Sequence, residues 1–231
     1  MNLGTLNVKG AGGSGKATEV RNLISNFNLS FMTIQETQCR EMSENMVSRF
    51  WIRSNFEYSK VNANGRSGGL LSLWNPGVFK KNMEIHDRNF LLIKGQIVGE
   101  SFDLTIINIY APNIPTERRQ LWEKLLTLRE AIQGMWVLIG DFNEVRVPSD
   151  RLNSVFDSNN AMCFNNFISS GGFVEYPMTG RRFTYMTADG KKLSKIDRIL
   201  VSMDFVNKWP NATLRALGRG NQITALLFLQ Q

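Results

Sequence analysis

The sequence is poor in residues that often carry chemistry. Among 231 residues there are two cysteines, Cys39 and Cys163, and one histidine, His86. The cysteines lie far apart and form no CxxC pair, so neither a disulfide framework nor a thiolate zinc site is supported, and a reducing compartment is the default. Long apolar runs are missing too. The longest, such as 90–93 and 104–110, are strand-sized and far too short to span a bilayer. Residues 1–8 have neither a basic n-region nor a continuous apolar h-region, so an intracellular setting, nuclear or cytoplasmic, is expected rather than secretion. Acidic residues are outnumbered by basic ones, 20 to 27, leaving a formal charge of +7. That balance favours a polyanionic partner, because Lys and Arg clusters gain affinity by releasing counterions from phosphates. Charge alone does not separate DNA, RNA and acidic membrane.

What is present suffices for one sizeable core: 42% hydrophobic and 10% aromatic residues, in a length that suits a single domain over 1–231. No internal repeat, linker or low-complexity tract divides the chain, and a monomer is expected. Residues 3–8 predict a strand, and 18–27 a helix with Val20, Leu23, Ile24 and Phe27 on one face. A second strand is predicted over 29–34 and ends at Gln35-Glu36-Thr37. Runs at 68–74, 89–98 and 102–110, separated by Asn, Pro, Gly and Glu, predict an antiparallel meander. Thr116 is the predicted cap of a helix with Leu121, Leu125, Leu128 and Ile132 at core spacing. Residues 136–139 predict a buried strand running into Gly140-Asp141-Phe142-Asn143; a helix is predicted near 159–169, and 193–201 form one apolar run containing Asp197. Strands interspersed with helices, partly in meanders, imply an α/β sandwich of two stacked, mostly antiparallel sheets with helices outside.

Asn7, Glu36, Tyr110, Asn113, Asp141, Asn143 and Asp197 fall at or near predicted strand ends, which a rigid sandwich can bring to one edge. A hard cation such as Mg²⁺ or Mn²⁺ takes carboxylate and amide oxygens, offsets charge on a phosphate and activates water, while Asn and Tyr donors hold phosphate oxygens. Each residue alone has a plainer reading. An Asp after a strand is more often a turn residue, Asn7 can cap a turn, Tyr110 can be core with its hydroxyl at the rim, and Asn113 can serve the turn after Pro112. Those readings do not explain why so many metal- and phosphate-compatible groups close successive strands.

The motifs that carry these residues resemble those of the endonuclease/exonuclease/phosphatase superfamily, and more closely the endonuclease domain of plant LINE-type retrotransposons lacking long terminal repeats. The resemblance covers nearly the whole chain. It rests on Leu6-Asn7-Val8-Lys9-Gly10, Ile34-Gln35-Glu36-Thr37, Ser67-Gly68-Gly69-Leu70, Tyr110-Ala111-Pro112-Asn113, Gly140-Asp141-Phe142-Asn143, Arg182-Phe183-Thr184-Tyr185 and Ile196-Asp197-Arg198-Ile199-Leu200-Val201-Ser202. It implies a four-layer, DNase I-like sandwich and a Mg²⁺- or Mn²⁺-dependent phosphodiesterase that nicks DNA, followed in an intact element by a reverse transcriptase. By resemblance, Glu36 binds the metal with Asn7, Asp141 and Asn143 position the attacking water and the phosphate, and Tyr110 contacts the phosphate or its leaving group. Asp197 would orient a catalytic histidine in a Ser-Asp-His segment near the C-terminus.

That segment is missing. Where Ser-Asp-His-x-Pro is expected after Trp209-Pro210, the chain reads Gly220-Asn221-Gln222-Ile223-Thr224-Ala225-Leu226-Leu227, so that Gln222 and Ile223 replace the acid and the histidine. His86, within Glu84-Ile85-His86-Asp87, is expected in a polar turn and is no substitute. Codons for the observed tail, such as AAT CAG ATC ACT GCC CTC, spell Ser-Asp-His-Cys-Pro when read from the third base. A frameshift in the element or in the gene model is therefore expected, with a C-terminal strand altered from about 218, phosphate binding largely kept and cleavage severely reduced.

Two rivals remain at this level. Gly10-Ala11-Gly12-Gly13-Ser14-Gly15-Lys16 matches most of a P-loop between a strand and a helix, but Ala17 stands where a hydroxyl should meet Mg²⁺. A non-catalytic nucleic-acid-binding remnant is the other. Arg181, Arg182, Lys191, Lys192, Lys195, Arg198, Arg215 and Arg219 gather charge in the C-terminal third around Phe183 and Tyr185, although a solvated face around core aromatics is the plainer reading for Phe183. Trp51, Trp74, Trp122, Trp136 and Trp209 are assigned to packing.

Overall fold

The computed structural model describes residues 1–52, 55–65, 67–219 and 222–228, the side chains of Ser14 and of residues beyond 217 excepted. In chain order come β1 (Asn2–Asn7), α1 (Ser14–Asn26), β2 (Phe31–Gln35), α2 (Glu44–Ser48), β3 (Glu57–Val61) and β4 (Leu70–Trp74). Next are β5 (Phe79–His86), β6 (Phe90–Ile97), β7 (Asp103–Tyr110), α3 (Pro115–Ala131), β8 (Met135–Asp141), β9 (Arg151–Leu152) and α4 (Ser158–Ser170). Then follow β10 (Phe173–Glu175), β11 (Met178–Gly180), β12 (Tyr185–Met186), β13 (Leu193–Ser194), β14 (Asp197–Ser202), α5 (Met203–Lys208), β15 (Thr213–Arg219) and β16 (Gln222–Phe228).

The strands form a seven-stranded sheet, β11-β15-β16-β1-β2-β4-β3, a six-stranded sheet, β10-β14-β8-β7-β6-β5, and a small sheet, β12-β13-β9. The two large sheets stack face to face around Leu3, Phe31, Trp74, Leu104, Ile106, Val137, Ile139, Ile199 and Val201. Trp122, Leu125, Phe164 and Phe167 from α3 and α4 pack on the outer face of the second sheet. Val20 and Ile24 from α1 pack on that of the first. The expected α/β sandwich flanked by helices is thus the observed architecture, and strands buried on both faces explain the near-continuous apolar runs of β7 and β8. All five tryptophans are buried. No helix among the described residues is long and apolar enough to cross a membrane.

Several details differ from expectation. The predicted meander is split: β4 joins the first sheet between β2 and β3, and only β5-β6-β7 form a meander in the second. Helix α3 begins at Pro115 after Ile114, so Thr116 lies inside its first turn rather than capping it; a proline's fixed φ and missing N–H suit the first helical position. The run at 193–201 is two strands, because the amides of Ile196 and Asp197 both turn to Thr184 Oγ1 at 2.9 Å. His86 is the last residue of β5, not a turn residue, with Nε2 3.2 Å from Ser59 Oγ and 3.3 Å from Glu84 Oε1.

On the face where the sheets meet, every second residue runs from apolar to polar toward one edge: Leu3-Thr5-Asn7 on β1, Phe31-Thr33-Gln35 on β2, Leu104-Ile106-Asn108 on β7 and Val137-Ile139-Asp141 on β8. Below that edge a buried network spans the sandwich. Asn108 Nδ2 donates to the carbonyls of Ile34 (3.2 Å) and Leu71 (3.1 Å), and Gln35 Nε2 donates to Asn108 Oδ1 (2.6 Å) and Thr5 Oγ1 (2.9 Å). Parallel pairing of β7 with β8 and antiparallel pairing of β8 with β14 align Tyr110, Asp141 and Asp197. At the other side of β1, β16 pairs Thr224 with Leu6, so its first residues lie at the Asn7 end. Gly220 and Asn221, where the Ser-Asp-His segment was expected to begin, lie outside the described residues.

Candidate metal and phosphate site

A cleft of about 500 Å³ opens at this edge, and Asn7, Glu36, Tyr110, Asn113, Asp141, Asn143 and Asp197 all line it. Glu36 follows β2 out of phase with the inward positions, but its left-handed φ of 52° turns the chain, and its Oε1 accepts from Asn7 Nδ2 at 2.6 Å. The same Nδ2 donates to Asp141 Oδ2 at 3.2 Å. Asn7 Oδ1 is taken by the backbone N–H of Lys9 at 3.2 Å, which fixes the amide with its donor toward both carboxylates. Asn7 therefore meets Glu36 and Asp141 as the group that orients them. Tyr110 adds a second side-chain hydrogen bond to Glu36. Burial, and then the charges of Glu36 and Asp141, hold its phenol neutral far above the usual range.

Asp141 is anchored at its other oxygen, Oδ1, by the N–H of Asn143 at 2.9 Å; Asn143 has φ 49° and donates Nδ2 to the carbonyl of Ala111 at 2.7 Å. Burial, opposed by that N–H and reinforced by the Glu36 charge, pushes the Asp141 carboxyl up to about 6. Asp197 is also raised well above the carboxylate range, first by burial and then by the Asp141 charge, against a hydrogen bond from Thr184 and the charge of Lys9. Among the described residues no three of His, Cys, Asp and Glu converge as metal ligands. Glu36 and Asp141, converging within hydrogen-bond reach of one amide nitrogen, nevertheless fit a small hard cation that keeps much of its water and takes one or two carboxylates.

Six lining residues carry no sequence-level role: Lys9, Arg118, Arg151, Thr184, Ser194 and Ile196. Lys9 and Thr184 stood inside recognised motifs, a usable signal. Lys9 has φ 47° and sets its ammonium 4.9 Å from the centroid of the Tyr185 ring. Arg118 gave no signal, since its partner is Glu144, 26 positions away.

The basic residues divide. Arg181, Arg182, Lys191, Lys192 and Arg215 are exposed. Lys191 and Lys192 follow the turn between β12 and β13, while Arg182 donates to Ser149 O at 2.8 Å beside a half-buried Phe183. Arg198 belongs to no surface: it is buried, bonded to Asp150 Oδ2 and Glu175 Oε1 at 2.6 Å each. Lys195 is drawn in as well, with Nζ 2.6 Å from Glu175 Oε1. Burial works to raise Glu175, but Arg198, Lys195 and Arg146 win and hold it well below the usual range. The side chain of Arg219 lies outside the described residues. In the glycine-rich stretch after β1, the first two N–H groups are not available to a phosphate, because Gly10 and Ala11 donate them to the carbonyls of Glu36 and Thr37 at 2.8 Å each. The start of the loop is zipped to the segment after β2.

The chain belongs to the Endonuclease/Exonuclease/phosphatase family, whose model matches residues 4–210. Among solved structures it is similar to the AP endonuclease LMAP from Leishmania major, with a TM-score of 0.77 and 12% identity over 100% of this chain and 87% of that one. It is likewise similar to the 3′-5′ exonuclease NExo from Neisseria meningitidis, with a TM-score of 0.75 and 17% identity over 100% of both chains. The endonuclease domain of TRAS1, a telomere-specific non-LTR retrotransposon, gives 0.73 and 12% over 100% of this chain and 98% of that one. These likenesses identify a DNase I-like fold.

Proposed function

We propose that this chain is a LINE-type retrotransposon endonuclease domain, of the plant kind, that binds DNA at the cleft and is impaired in cutting it. The observation that carries the reading is the convergence of Glu36 and Asp141 on Asn7 at the strand edge, rimmed by Tyr110, Asn113 and Asn143. A divalent ion, Mg²⁺ or Mn²⁺, held by Glu36 and Asp141 would stabilise charge on a phosphate and acidify water. Tyr110, kept neutral, and Asn113, exposed on the turn after β7, offer hydrogen bonds to phosphate oxygens; Asn143 holds Asp141 and faces the same space. Lys9 supplies positive charge inside the cleft, and Arg182, Lys191 and Lys192 supply it beside the cleft along the duplex. Lys195, paired with Glu175, acts there only indirectly.

The impairment follows from the tail. Asp197 is in place at the cleft, but Gln222 and Ile223 stand where the family's acid and histidine are expected, so the general acid–base partner is lacking. That same feature favours a second reading, a remnant that binds nucleic acid without cleaving it. Both are tested by nicking of supercoiled plasmid with Mg²⁺, comparing the chain with its Asn221→Ser/Gln222→Asp/Ile223→His variant. Nicking by the variant alone is expected; equal activity in both would refute the account of the tail. In parallel, DNA affinity should fall steeply with salt, and Lys191→Glu/Lys192→Glu should flatten the dependence by about two phosphates' worth.

A further inference from the structure

One buried charge pair beside the cleft has no part in that reading. Arg118, in the first turns of α3, is 8% exposed in its side chain, and its partner Glu144 is 3% exposed. The guanidinium folds back from the helix. Its Nη1 donates to the carbonyls of Pro112 at 3.0 Å and Asn113 at 2.7 Å, and its Nη2 to Glu144 Oε2 at 2.7 Å. The other oxygen of Glu144 accepts the N–H of Val145 at 3.0 Å. Every one of these partners belongs to one of two turns: the one after β7, which follows Tyr110 and carries Asn113, and the one after β8, which follows Asp141 and carries Asn143. The turns also meet through the N–H of Ala111 on the Asp141 carbonyl at 2.8 Å and the Asn143 amide on Ala111, and Arg118 ties both of them to a helix.

A planar fork satisfies three acceptors at once, which a lysine ammonium on a flexible stem cannot do with the same rigidity. A buried pair is a poor device for stability alone, since both charges must be stripped of water and an apolar pair of similar volume often serves as well. Its value lies in geometry. We propose that the Arg118–Glu144 pair is a positioning device that sets the spacing between the phosphate-facing turn of Tyr110 and Asn113 and the carboxylate turn of Asp141. This rests on the reading of Glu36 and Asp141 as a cation site, and the experiment separates the two.

The probe is Mn²⁺ alone, titrated calorimetrically into the whole chain without nucleic acid, with Glu36→Gln marking the site. Arg118→Met/Glu144→Leu removes both charges together, so neither is left buried unpaired. The expected result is a melting temperature close to the parent's and Mn²⁺ binding weaker by about tenfold or more, the range found when groups behind a metal's ligands are removed. Should the double variant not fold, Glu144→Gln keeps an acceptor for Arg118 and is expected to weaken Mn²⁺ in the same direction by less. Unchanged Mn²⁺ affinity in the folded variant would overturn the positioning role while leaving the site reading intact. A parent chain with no Mn²⁺ binding sensitive to Glu36→Gln would remove both.

Discussion

Asp141→Asn should make the metal-free protein more stable while destroying its cation site. The carboxyl is buried beside Glu36 and lies at about 6 instead of 3.8, so above that value the folded state holds a charge the unfolded chain would shed into water more cheaply. The folded state binds the extra proton between the two values, so the parent loses stability as pH rises through that window. At ~1.4 kcal/mol for each tenfold change, the full difference is ~3 kcal/mol at pH 7. The asparagine returns ~1 kcal/mol of this, because its own NH₂ would face Asn7 Nδ2 where Oδ2 now accepts at 3.2 Å. The net gain of ~2 kcal/mol corresponds to ~4–8 °C in melting temperature for a chain of this size. Thermal melts in EDTA at pH 7 and pH 4 provide the assay: the gain should be present at pH 7, shrink as pH falls through 6 and vanish near 4. Added Mn²⁺ should raise the melting temperature of the parent and leave Asp141→Asn unmoved. A variant less stable than the parent at pH 7, or a gain that persists at pH 4, would refute the placement of an uncompensated charge at Asp141.

Two further substitutions probe the rim and the layer beneath it. Lys9→Gly relieves a left-handed backbone that costs a lysine ~1–2 kcal/mol, a gain largely offset by glycine's extra freedom in the unfolded chain. Its melting temperature should therefore be no lower than the parent's, while DNA affinity drops and the salt slope falls by about 1; fluorescence anisotropy in EDTA measures both, and undiminished affinity would remove Lys9 from the phosphate path. Asn108→Leu strips donors from the carbonyls of Ile34 and Leu71 and an acceptor from Gln35, and should cost ~3–5 kcal/mol in urea unfolding. Gln35→Leu/Asn108→Leu should recover part of that loss, since replacing both partners by apolar groups leaves fewer polar atoms stranded; a double variant as weak as the sum would count against the network.

How much of this was legible in the chain depends on periodicity. The inward positions pass from Leu, Phe and Ile through Thr or Asn to Asn7, Gln35 and Tyr110 on β1, β2 and β7, and straight from Ile139 to Asp141 on β8, so a period of two already separates a dry end from a polar end where the cleft opens. Glu36 breaks that period. It enters the cleft only because the backbone turns left-handed after Gln35, and nothing in an isolated Gln-Glu-Thr announces a φ of 52°; the motif's resemblance supplied what periodicity could not. Charge was the least legible property. Lys191 and Arg198 look alike in sequence, yet one is exposed past a turn and the other is buried between Asp150 and Glu175, because α4 covers the face of β14 that carries it, with the centroid of the Phe164 ring 5.9 Å from the guanidinium. The same reasoning governs Arg118 and Glu144: ion pairs across 26 positions follow no spacing rule, so they emerge only once β7 and β8 are known to be parallel neighbours ending at the same edge. The tail inverts the case. Gln222 and Ile223 stand out only against the Ser-Asp-His that resemblance leads one to expect, and the register of Thr224 opposite Leu6 is what brings the start of β16 to the Asn7 end of β1 rather than to a remote edge of the sheet.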